Sequence, residues 1–267
     1  MKKYRFLIAR RFTQLSIIAL YILANIYGIN ILMGNLSNSL VLQTVNLSDP
    51  FAVLQMIFAG AIISFDIALG ALIISIFYFI LGGRAFCSWV CPVNIITDSA
   101  NYLRRVLKFD EVQKKQPATR NLRYWLILIS FIISYFMGVA AFELISPVSM
   151  VHRGLIFGLG FGLATMIVIF LFDLFVLKNG WCGHICPLGG FYSLIGRFSL
   201  LRVHHNSEKC TACIKCKVVC PEIQVLHMIN KSSEPVLQEC TLCARCIEVC
   251  EDDALNFELR NYMKEKK

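Results

Sequence analysis

Two stretches near the C-terminus carry cysteines at a spacing with few chemical uses. Cys210-Thr-Ala-Cys213-Ile-Lys-Cys216-Lys-Val-Val-Cys220-Pro221 is followed by Cys240-Thr-Leu-Cys243-Ala-Arg-Cys246-Ile-Glu-Val-Cys250. Three cysteines separated by pairs of residues let one loop wrap a cubane, and the fourth is carried away by a short helix to ligate the other cluster. The spacing therefore predicts two 4Fe-4S clusters with crossed ligands. Cys210, Cys213, Cys216 and Cys250 would hold one, and Cys240, Cys243, Cys246 and Cys220 the other. Structural zinc competes for clustered thiolates, but zinc sites rarely place four cysteines in so short a run twice over. The second run lacks the proline that follows the first; Glu251 stands there.

The other four of the twelve cysteines form a second pattern. GGRAFCSWVCP (82–92) and KNGWCGHICP (178–187) each carry a glycine turn, an aromatic residue and Cys-x-x-x-Cys-Pro. Four thiolates (Cys87, Cys91, Cys182, Cys186) are suited to a further iron–sulfur centre, a redox-active thiol set or a copper ion, since thiolate favours soft metals. These four are the candidate catalytic residues. Inert packing is the bland alternative, because buried cysteine behaves as a small hydrophobe. Two matching copies, each after an apolar run, argue against it.

The elements that must position these groups are apolar. Of the 267 residues 57% are apolar and 16% charged, with a mean hydropathy of +0.64. Soluble domains carry about 25% charged residues. The apolar runs fall within residues 12–178, whereas 197–267 reads as a polar module. The pattern predicts four spans, at about Leu15–Met33, Ile63–Leu81, Tyr124–Phe142 and Leu155–Leu177, with a short interfacial helix near 51–62. A cleaved signal peptide would have an apolar core of about 7–15 residues and a small-residue cleavage site, so the first run is read as an anchor. The expected fold class is an α-helical membrane protein of four transmembrane helices, residues 1–196, followed by a bacterial-type ferredoxin-like (α+β) domain over 197–267. The repeated thiol motifs suggest a parallel duplication that sets them side by side.

The net charge of +9 has a topology of its own. Lys2, Lys3, Arg5, Arg10 and Arg11 precede the first run. Arg84, Arg104, Arg105, Lys108, Lys114, Lys115, Arg120 and Arg123 lie between the second and third, and twelve more follow the fourth. The remaining loops contribute only Arg153. This is the positive-inside pattern, which places both termini in the cytoplasm. Nucleic acid is excluded as a partner, since phosphate binding needs these charges on one face. In a reducing cytoplasm the cysteines read as metal ligands rather than disulfides.

Isolated polar residues carry weaker signals. Asp66 and Asp173 lie near span ends, where a local partner competes with a proton relay. His152 and Arg153 are suited to an interfacial anchor, or to a quinol headgroup. His184 falls within the second thiol motif, while His204 and His205 read as solvated linker residues. Trp89, Trp125 and Trp181 fall where an inner aromatic belt is expected.

With both thiol motifs and the double cluster run in view, the chain resembles the NapH family. These are ferredoxin-type membrane components of the quinol dehydrogenase serving periplasmic nitrate reductase. The resemblance implies a subunit that draws electrons from menaquinol and passes them, with a periplasmic ferredoxin-like partner of the NapG type, toward the reductase. It maps those roles onto the eight cluster cysteines and onto Cys87, Cys91, Cys182 and Cys186. The alternative is a polyferredoxin-type reductase for metal handling or cofactor maturation.

Overall fold

A computed structural model describes residues 4–29, 31–109, 121–158 and 160–260. The basic residues Lys2, Lys3, Lys114, Lys115 and Arg120 lie outside the described residues. The chain divides into two compact units. One gathers Met1–Phe12, Phe77–Val90 and Tyr192–Lys267; the other gathers Thr13–Ile76 and Cys91–Phe191. The first thiol motif is thus shared out, with Cys87 in the unit of the cluster runs and Cys91 in the apolar unit.

Helix α1 (Arg5–Tyr27) is the one helix among the described residues long and apolar enough by itself to cross a membrane. It begins ten residues before the expected span and stops at Tyr27, because the chain beyond it turns to β structure. β1 (Leu32–Gly34), β2 (Asn38–Val41) and β3 (Val45–Ser48) form an antiparallel meander with Leu32 opposite Val41 and Asn38 opposite Ser48. Asn35 makes the first turn by accepting the Ser37 and Asn38 amides at 2.9 Å. Leu42 and Gln43 make the second with positive φ at both central positions, the geometry that matches strand twist in a tight hairpin.

Asp49 caps α2 (Pro50–Phe58) by accepting the Ala52 amide, with Pro50 in the first turn. This is the short helix expected near 51–62. Phe51, fully buried, centres this unit against the rings of Phe131, Phe142 and Phe191 at 5.3–5.7 Å. Burial of that one ring is worth about 3 kcal/mol.

Three further apolar helices have 16 or 17 residues: α3 (Phe65–Leu81), α6 (Leu122–Met137) and the stretch Gly160–Val176. Between α3 and α6 lie α4 (Ala85–Trp89) and α5 (Val93–Val106); after α6 come α7 (Ala141–Ile145) and α8 (Pro147–Phe157). The run expected as a single span over 155–177 is interrupted at Gly158, whose φ is +114°. There α8 gives way to α9 (Gly160–Leu171), which continues as a π turn to Val176. The two helices pack closely, because a Cβ at Gly162 would lie 2.8 Å from the Gly154 Cα. Large apolar side chains stay exposed along α3 and α9, among them Ile73, Ile76, Phe77, Phe161 and Val168.

α10 (Pro187–Gly196) leads into the polar module. β4 (Leu201–His205) pairs antiparallel with β5 (Leu255–Leu259), Leu201 facing Leu259 and His205 facing Leu255. Two five-residue helices, α11 (Lys215–Val219) and α12 (Arg245–Val249), follow the cysteine loops and pack on one another. Val203, Met228, Val236 and Leu255 form the small core beneath them.

Candidate functional site

The two cysteine runs fold alike. Ala212 and Ile214 have φ of 58° and 60°, and Leu242 and Ala244 have 53° and 59°. Left-handed residues on both sides of the middle cysteine curl each loop back on itself, so that its three thiols can face one volume. Cys210, Cys213, Cys216 and Cys250 line a single cavity together with apolar Ile214, Ile229, Val249 and Leu255. Around the other run, Cys220 interacts electrostatically with Cys243 and Cys240, and Cys246 with Cys240, Cys243 and Cys220.

Burial pushes the Cys240 thiol up to about 12, and raises Cys220 and Cys246 well above the ordinary thiol range. Without a cation these sulfurs keep their protons. Cationic iron makes them thiolates, and loading therefore releases protons. Among the described residues no group of three or more His, Cys, Asp or Glu is drawn together as ligands of one metal ion. A cavity lined by four cysteines, three from one short loop and one from the other run, fits the ligand set of a 4Fe-4S cluster.

Glu251, in the place of the missing proline, reaches Lys215 at 2.7 Å across the two runs. Beside it, Asp252 accepts from the Thr211 amide and hydroxyl at 3.1 and 2.6 Å. Both pairs are exposed. They tie the exit of the second run to the entry of the first at little energetic gain.

Helix α4, which carries Cys87, is bonded to the second run. Arg84 Nη1 donates to Glu222 Oε1 at 2.9 Å and to the Glu239 carbonyl at 2.7 Å. Ser88 Oγ donates to the Thr241 carbonyl at 2.6 Å, and Trp89 Nε1 to the Leu242 carbonyl at 3.1 Å. Gln224 Nε2 spans Glu222 and Glu239 at 2.8 Å each. Trp89, half-buried, is thus a docking residue for a cluster loop, while Trp125 is exposed.

The second thiol motif is built in the apolar unit. Asp173 Oδ1 accepts the Trp181 amide at 3.1 Å and fixes the turn into the motif. Arg104 Nη1 donates to the carbonyls of Asp173 and Leu174 at 3.1 and 3.0 Å, satisfying a helix end. Asn101 donates to Asn179 and to the Thr97 carbonyl. Cys182 Sγ lies 4.0 Å from Thr97 Oγ1, and Cys186 Sγ accepts the Gly189 amide at 3.5 Å. Gln14 Nε2 donates to the Cys91 carbonyl at 3.2 Å. Asp173 therefore has the local partner that competed with a relay role, and Asp66 is exposed in the first turn of α3, where a negative charge suits the helix dipole.

Several readings change. Arg10, Arg84, Arg104 and Arg123, counted as interfacial charge, are at most 2% exposed. Arginine's planar fork suits buried carbonyl and carboxylate acceptors, which sequence position alone does not reveal. His205 is not a solvated linker residue: it is buried on β4, bonded through Nδ1 to the Ser232 carbonyl at 2.8 Å, and lines the first-run cavity. His204 keeps part of its surface exposed, 3.8 Å from Glu258. His152 is buried with its ring edge-on to Tyr21 at 4.6 Å rather than anchored at an interface, while Arg153 is exposed. His184 is buried inside its motif. Glu222 and Gln224 were missed; the only signal available was their place just past Cys220-Pro221.

Paired cysteine loops with matching backbone, the second of them bonded to the helix of Cys87, define a ferredoxin-type iron–sulfur protein. A family model described as a 4Fe-4S dicluster domain matches residues 202–251, and one described as a 4Fe-4S binding domain matches 53–110 and again 159–204. The ferredoxin-type protein NapH of Haemophilus influenzae is 40% identical over 96% of this chain and 90% of its own length. NapH of Escherichia coli is 38% identical over 97% and 91%. The methylamine utilization ferredoxin-type protein MauN of Paracoccus denitrificans is 41% identical over 84% and 78%. The chain belongs to this family of ferredoxin-type proteins, which includes NapH and MauN. No solved structure matches it.

Proposed function

We propose that the chain is a membrane electron-transfer subunit that oxidises menaquinol and passes electrons through iron–sulfur centres toward a periplasmic nitrate reductase system, with a NapG-type ferredoxin-like partner. One observation carries the reading. Apolar helix α3 runs into the segment bearing Cys87, and Arg84, Ser88 and Trp89 bond that segment directly to the loop of Cys240 and Cys243. The segment that follows an apolar helix is thereby bonded to a cluster-ligand loop.

In this reading α1, α3, α6 and Gly160–Val176 are the four spans of a multi-pass inner-membrane protein with both termini cytoplasmic. Helices of 16–17 residues reach about 24–26 Å, short of a hydrocarbon core of about 30 Å, a mismatch met by local thinning and flanking anchors. Their exposed apolar side chains support this. The eight run cysteines hold the two 4Fe-4S clusters in the crossed sets. A bound cluster supplies a one-electron carrier whose potential follows nearby charge and hydrogen bonds. The chain's own part is to hold the thiolates, give the first-run cavity its apolar lining of Ile214, Ile229, Val249 and Leu255, and orient the second run. Cys87, Cys91, Cys182 and Cys186 are the candidates for a further thiolate-bound centre; both motif copies fall within matches to a 4Fe-4S binding model.

The similar identity to MauN supports a second reading, the same device serving methylamine oxidation. Deletion of the chain from its host separates the two. The first reading expects nitrate reduction driven by an artificial viologen donor to persist, while nitrate reduction driven through the quinol pool falls at least tenfold. Unchanged quinol-driven nitrate reduction, with methylamine-dependent growth lost, would move the assignment to the second.

A further inference from the structure

The pair Arg84–Glu222 is buried beside the cluster runs: the side chains are 0% and 3% exposed and the contact is 2.9 Å. A buried pair of this kind is weak evidence for stability, since desolvation offsets most of the attraction. Its surroundings point elsewhere. Glu222 stands two residues past Cys220, and Arg84 also holds the carbonyl of Glu239, next to Cys240. Gln224 ties Glu222 to Glu239 on the far side. Two opposite charges, excluded from water, therefore lie against one set of ligands (Cys220, Cys240, Cys243, Cys246). The first-run cavity is lined by Cys210, Cys213, Cys216 and Cys250 with neither residue among them.

Reduction adds negative charge to a cluster, and in a low-dielectric site a fixed charge nearby weighs on that step far more than it would in water. A cation beside the site favours the reduced form; an anion disfavours it. Arg84 also sits at the start of the segment bearing Cys87, so the group that fixes the electrostatics of the second run is the one that clamps the first thiol motif onto it.

We propose that Arg84 and Glu222 are positioning residues that set the reduction potential of the second-run cluster independently of the first, making that cluster the one tuned to the thiol motif of Cys87. The inference rests on the dicluster reading above and deepens it.

The test uses the full-length protein, purified anaerobically, with Arg84→Lys, Arg84→Met and Glu222→Gln. Iron and acid-labile sulfide are counted first, then both cluster midpoints are read by redox titration with electron paramagnetic resonance. Glu222→Gln, which keeps an acceptor for Arg84, is expected to raise one midpoint and leave the other in place. Arg84→Met is expected to lower that same midpoint, and Arg84→Lys to restore most of it. The moving signal should be the one that Cys243→Ser perturbs. Midpoints that stay fixed in fully loaded Glu222→Gln and Arg84→Met, or that move together, would overturn the inference, as would movement confined to the signal that Cys213→Ser perturbs. If Arg84→Met fails to load, Glu222→Gln decides by the same criteria. Iron below two cubanes in the unsubstituted protein would instead remove the dicluster reading itself.

Discussion

Cys250→Ala is expected to produce the same iron–sulfur spectrum as Cys213→Ala, and Cys220→Ala the same as Cys243→Ala. The pairing follows from the cavity that Cys210, Cys213 and Cys216 share with Cys250, thirty-four residues beyond the last of them. Each substitution leaves three thiols at one site and four at the other. Iron should fall toward half in all four variants, and the surviving signal should belong to the intact site. Uncrossed ligation makes the opposite match, Cys250→Ala with Cys243→Ala. The comparison needs no prior assignment of either signal. It separates the two arrangements even where a three-thiol site retains some iron.

Gly83→Ala should be the most damaging small substitution in the first thiol motif. A Cβ there would run into the Tyr192 carbonyl oxygen and lie 2.5 Å from the Gly196 amide nitrogen. Both obstacles are backbone, so no side-chain rotation relieves them. Overpacking ordinarily costs about 1–3 kcal/mol, and a backbone collision belongs at the upper end, about 3 kcal/mol. The displaced segment carries the Tyr78, Phe86 and Tyr192 ring cluster and the Arg84, Ser88 and Trp89 bonds. Loss of iron from the second run should therefore accompany the loss of stability. Gly60→Ala is the control: nothing lies within 4 Å, and only its positive φ is strained, a cost of about 1–2 kcal/mol. Thermal unfolding of the detergent-solubilised protein measures both. A Gly83→Ala midpoint no lower than that of Gly60→Ala would show that α10 can move aside.

The cysteine runs were legible because ligand chemistry imposes spacing: a cubane needs three thiols on one short loop and a fourth from elsewhere, and sequence records that directly. The apolar helices were legible because burial or lipid contact requires an apolar surface. What hydropathy could not show was where those runs break. The first run reads on to Met33, yet α1 stops at Tyr27, and Asn35 and the Leu42–Gln43 turn fold residues 32–48 into strands. Gly158 interrupts a run whose composition reads as continuous. The buried arginines were opaque for another reason. Positive-inside counting treats Arg84 and Arg104 as equivalent charges, whereas one holds a carboxylate beside a cluster loop and the other a helix end. Partners 69 and 138 residues away leave no local trace. His205 was misread because its neighbours look like linker, while strand pairing with β5 carries it inside.

The central claim is that electrons pass from a quinol in the membrane to the clusters of the polar module. It is tested most directly by adding a menaquinol analogue to the anaerobic, fully loaded protein in lipid and following both clusters by electron paramagnetic resonance. Cluster signals are expected to appear on quinol addition and to be lost with a quinol-site inhibitor. Clusters that dithionite reduces but quinol leaves untouched would contradict it, and would assign the iron–sulfur module to metal handling or cofactor maturation instead.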